Sequence, residues 1–67
     1  MNKKELETKI TEIVDRYDVT LLAVVTNIQG THDVLLDHNI YYVEHEKMET
    51  EIRKLGNIND IDYKDVA

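Results

Sequence analysis

The 67 residues carry fourteen acids against eight bases, a formal charge of −6, with no cysteine and no proline. That composition excludes disulfides and thiolate metal sites, and no apolar run approaches the roughly 20 residues of a membrane-spanning helix. A chain of this length buries only about 60% of its unfolded surface, so a single small domain over 1–67 is expected, leaning on a partner or on self-association for part of its stability.

The first lysines are not followed by an apolar stretch, unlike those of a signal peptide, and a cytoplasmic protein is expected. The acidic excess is spread along the chain with a mild bias to residues 44–67, which hold seven acids and four bases. This sign disfavours direct contact with phosphate backbones. It serves solubility, and it also allows an acidic surface to occupy a basic groove as a nucleic-acid mimic.

Residues 2–17 read as a helix. Leu6, Ile10, Ile13, Val14 and Tyr17 line one face at a period of 3.6. Asn2 followed by Glu5 resembles a capping box, and Glu5–Lys9 and Glu12–Arg16 are favourable i,i+4 pairs.

Residues 19–43 read as an antiparallel hairpin. Val19 to Thr26 is rich in β-branched and aliphatic side chains. A two-residue Gln29-Gly30 loop would place Val25 opposite Val34, Ala23 opposite Leu36, Leu21 opposite His38 and Val19 opposite Ile40, a nearly all-apolar face. The other face would pair Thr26 with Asp33, Val24 with Leu35, Leu22 with Asp37 and Thr20 with Asn39. A one-residue slip would scramble this separation.

Residues 44–55 read as a second helix on the stripe Met48, Ile52 and Leu55, closed by Gly56. A rival reading extends one helix over 32–55, because Val34, His38, Tyr41, His45 and Met48 keep a 3-4 spacing. The run Ile40-Tyr41-Tyr42-Val43 has poor helix propensity and argues against it. The acidic tail, 57–67, is either a short third edge strand anchored by Ile58, Ile61 and Tyr63 or irregular chain. The fold class expected is therefore α+β, of order α-β-β-α, with a hairpin covered on one face by two helices.

Chemistry-bearing motifs are sparse. His45 and Glu49 stand at i,i+4, but the His-Glu-x-x-His motif is missing and two scattered ligands do not close a metal site. His38 is expected to be half-buried with a satisfied nitrogen. A phosphate-binding glycine loop, a serine elbow and a cysteine nucleophile are all missing. No enzymatic activity, cofactor, metal or small-molecule substrate is expected.

The leading expectation is a protein–protein interaction module, a small regulator or inhibitor. It would bind a larger protein, or a second copy as a homodimer, through the uncovered sheet face. The residues expected there are Leu22, Val24, Ile28, Leu35 and Tyr41. Two alternatives belong to other classes. In one, Glu44, Glu46, Glu49, Glu51, Asp60 and Asp62 replace phosphates before a basic groove. In the other, the chain is a structural homo-oligomer subunit. Direct nucleic-acid or membrane binding is not expected. The Ile, Asn, Lys and Asp usage is compatible with an AT-rich genome such as that of a low-GC bacterium, its phage or a mobile element.

Overall fold

A computed structural model describes residues 2–37 and 44–64. Its elements run α1 (Lys3–Asp15), β1 (Leu21–Thr26), β2 (His32–Asp37), α2 (His45–Arg53) and β3 (Ile58–Lys64). The three strands form one sheet in the order β1-β2-β3. β1 and β2 are antiparallel, and β2 and β3 are parallel. The chain therefore joins a hairpin to a β-α-β unit with β2 in common, an α+β domain. The tail that the sequence left between strand and irregular chain supplies the third strand. Because β2 and β3 are parallel, a long connection must carry the chain back, and α2 lies within it. The rival helix over 32–55 is overturned, because His32–Asp37 is the central strand.

α1 begins as the sequence predicts. The Asn2 side chain accepts a hydrogen bond from the Glu5 amide at 2.8 Å. Its end has a more specific device. The Asp18 amide donates to the Asp15 carbonyl at 3.3 Å and the Val19 amide to the Val14 carbonyl at 3.1 Å. With Asp18 at φ +61°, this is a Schellman closure in which aspartate stands where glycine is usual. Val14 and Val19, the apolar pair of that motif, are both buried. Beyond α2, Gly56 at φ +95° and Asn57 at φ +59° turn the chain into β3.

Both helices pack on one face of the sheet around a single core. Leu6, Ile10 and Val14 come from α1, Met48 and Ile52 from α2, Val24, Val34 and Leu36 from the strands, and Val19 from the connection. Ile13, Tyr17, Leu21, Leu55, Ile58, Ile61 and Tyr63 pack around its margin. Polar groups then tie the elements together. Glu51 of α2 accepts a hydrogen bond from the Tyr17 hydroxyl and one at 2.7 Å from the Arg16 guanidinium, which locks α2 to the end of α1. These donors hold the Glu51 carboxyl below its ordinary range, the Tyr17 hydroxyl first and the Arg16 guanidinium second. Glu49 accepts from the Tyr63 hydroxyl, which locks α2 to β3.

The hairpin register differs from the sequence expectation by one residue. The observed partners are Thr26 with His32, Val25 with Asp33, Val24 with Val34 and Ala23 with Leu35. The cause is the loop. The Gly30 amide donates to the Asn27 carbonyl and the Asn27 amide to the Thr31 carbonyl, both at 2.9 Å. The Asn27 side-chain oxygen also accepts from the Thr31 amide at 3.2 Å and the Thr31 hydroxyl at 2.6 Å. Ile28, Gln29 and Gly30 thus make a three-residue loop with glycine at φ +84°, the hairpin type in which a left-handed residue follows the turn. One extra loop residue moves β1 by one position. Val24 turns into the core at 3% exposure and Val25 turns out at 57%. A bulge between Leu21 and Ala23 then puts Leu21, not Ala23, opposite Leu36. β1 reads Leu-Leu-Ala-Val-Val-Thr, apolar on both faces, so its pattern alone could not specify the register.

Candidate functional site: the open sheet face

Side chains alternate across a strand, so the register defines which residues stand on the face that neither helix covers. The helices take Val24, His32, Val34, Leu36, Ile61 and Tyr63. Three rows remain outside. Val25, Asp33 and Asp60 are neighbours across the strands, then Ala23, Leu35 and Asp62, then Asp37 and Lys64 beside the Leu22 bulge. The face is divided lengthwise. Its β1 side is aliphatic, with Val25 at 57% and Leu22 at 42% exposure, and Leu35 half-buried in the middle. Its β3 side is acidic, with Asp60 and Asp62 exposed. On the central strand, Asp33 accepts a hydrogen bond from the Asn59 side-chain amide at 3.0 Å.

The expected interface residues are only partly brought together. Leu22 and Leu35 belong to this face. Val24 does not: the slipped register buries it, and Val25 takes its place. Ile28 is fully exposed, but it stands at the hairpin tip. Tyr41 lies outside the described residues, as do His38 and Ile40. Sequence reasoning missed Val25 and Asp33. The signal available was Asn27 three residues before Gly30, which suits the three-residue loop as well as Gln29-Gly30 suits the shorter one.

The expected acidic surface is split between two sides of the molecule. Glu44, Glu46, Glu49 and Glu51 lie in or beside α2 on the helical side, whereas Asp60 and Asp62 stand on the open face. On α2 the acids alternate with Lys47, Arg53 and Lys54, and Glu49 and Glu51 are engaged by Tyr63, Tyr17 and Arg16. A concavity of about 770 Å³ beside α2 is lined by residues 46–54 only, so it is relief on a single helix rather than a cleft between elements.

Two of the histidines, His32 and His45, lie among the described residues, and both pack against other side chains. His32, on the covered face, places Nδ1 2.9 Å from the Thr26 hydroxyl. The His45 ring stacks on Tyr63 with centroids 5.4 Å apart. The pair weighed as metal ligands, His45 and Glu49, therefore both engage Tyr63. Among the described residues, no three His, Asp or Glu side chains converge on a point where a cation would sit. No helix among the described residues is long and apolar enough to cross a membrane. No protein-family model matches the chain, and no curated protein or solved structure is significantly similar to it.

Proposed function

We propose that this chain is a non-enzymatic protein–protein interaction module whose open sheet face docks on a larger protein. The observation that carries this reading is the pairing of exposed Val25 and Leu22 with half-buried Leu35 on the one sheet face that neither helix covers. Contiguous apolar surface on so small a domain marks an interaction site, and a second layer on that face would supply core that a chain of this length lacks. By contrast, the division of the carboxylates between two sides of the molecule weighs against a phosphate-like array.

Affinity capture from the source cells tests the reading, with the wild type compared with Leu22→Glu and Leu35→Glu. A Thr8→Glu change on the exposed side of α1 serves as control, and circular dichroism confirms that each variant is folded. A protein retained by the wild type and the control but lost from both sheet-face variants is the expected result. Binding that survives Leu22→Glu and Leu35→Glu, or that Thr8→Glu abolishes equally, would refute it.

A further inference from the structure

The two-part character of the open face narrows the class of partner. The geometry points to an amphipathic α-helix of another protein with an apolar stripe and a flanking row of Lys or Arg, laid along the strands of the open face. This inference rests on the docking reading above and adds the chemistry of the occupant.

The first argument is dimensional. β1 and β3 are two strand spacings apart, about 9.6 Å, and an α-helix with its side chains is about 10–12 Å across. One helix aligned with the strands therefore covers both columns at once. The strands hold six or seven residues, a run of about 20 Å, which matches roughly four helical turns. A helix carries its apolar stripe and its charged flank side by side along its axis, as this face carries its aliphatic and acidic columns.

The second argument is charge. Asp33 and Asp60 are cross-strand neighbours, with Asp62 and Asp37 close by and Lys64 the cation in register with them. Like charges in directly opposed positions destabilise a sheet. A cationic flank would neutralise them and the apolar stripe would bury Val25, Leu22 and Leu35. A second copy of this chain does not fit: face to face, it brings acids against acids or against valine, with Lys64 as the cation in these rows.

Three peptides of roughly four turns test the proposal by amide chemical-shift mapping on the full chain. One alternates leucine and lysine at helical period, one replaces lysine by glutamate, and one replaces lysine by glutamine. The leucine–lysine peptide is expected to shift Val25, Asp33, Leu35, Asp60 and Asp62, and to weaken as salt is raised. Asp60→Asn is expected to cost about two- to fivefold in that affinity, yet to raise the melting temperature of the free protein by about 2–4 °C, because one of two aspartates in register across the strands loses its charge.

A merely structural Asp60 would move the melting temperature and leave affinity unchanged, which would overturn the proposal. Shifts spread over the acids of α1 and α2 would overturn it too. So would equal binding of the glutamine peptide at the open face, although the docking reading would then stand. Failure of all three peptides to reach this face would remove the helix as occupant and leave the capture experiment to decide the docking reading. A dimer in light scattering that Val25→Lys dissociates would assign the face to a second copy and overturn the inference.

Discussion

The hairpin register can be tested by two neighbouring valines with opposite surroundings. Val24 is 3% exposed within the core and Val25 is 57% exposed on the open face. Both lie within β1, so replacing either by alanine loses a similar strand preference, and the difference between the two variants isolates burial. Val24→Ala removes two buried carbons at about 0.8 kcal/mol each. The cavity left behind raises the cost to about 2 kcal/mol. Val25→Ala removes carbons that are mostly in water already and should cost about 0.5 kcal/mol.

A core of this size rarely supplies more than about 3–5 kcal/mol in total, so Val24→Ala would remove roughly half of the stability or more. Urea unfolding followed by circular dichroism reads this directly. At a slope of about 1 kcal/mol per molar, the midpoint should fall by about 2 M for Val24→Ala and about 0.5 M for Val25→Ala. Equal losses, or a larger loss for Val25→Ala, would refute the three-residue loop and restore the register with Val25 opposite Val34.

Two further outcomes follow from named contacts. Asp18→Gly should stabilise the domain by about 0.5–1 kcal/mol, because glycine accepts the left-handed conformation without strain and the change removes a negative charge at the negative end of α1. Thermal melting should show a rise of about 3–6 °C, whereas a loss of stability would contradict the Schellman closure.

Tyr63 contributes to the alkaline limit beside Tyr17, whose hydroxyl is also raised by its hydrogen bond to the Glu51 carboxylate. Burial first, and then the hydrogen bond to the Glu49 carboxylate, push the folded-state Tyr63 phenol well above its ordinary value. A group raised on folding contributes fully below its unfolded pKa of about 10, and that contribution is lost as pH climbs from there toward the folded value. Stability should therefore decline above about pH 10, less steeply in Tyr63→Phe, as read by urea midpoints. Ultraviolet titration of a folded Tyr63 at its ordinary value would contradict this.

Local signals in the sequence located the elements. Asn2 caps α1 because its side-chain oxygen reaches the Glu5 amide, a contact between residues three apart. The stripes Leu6-Ile10-Val14 and Met48-Ile52 face the core because helical period alone puts them on one side. Gly56 ends α2 because the chain must take a positive φ there. None of these depends on anything distant.

The tertiary structure decided which face of β1 is buried, that the acidic tail becomes a strand, and hence what the open face contains. β1 is apolar at nearly every position, so its direction was chosen by a side-chain oxygen of Asn27 gripping Thr31 and by the core space that Val24 fills. β3 carries three charges in seven residues and reads as solvent-exposed chain. It becomes a strand because the backbone of β2 offers a free edge and because Ile61 and Tyr63 pack against the core on the covered side, Tyr63 reaching Glu49 of α2. The juxtaposition of Asp33 with Asp60 arises only from that pairing, between residues 27 positions apart in the chain. Period and capping are properties of neighbouring residues, whereas register and sheet order depend on partners brought together only by the complete fold.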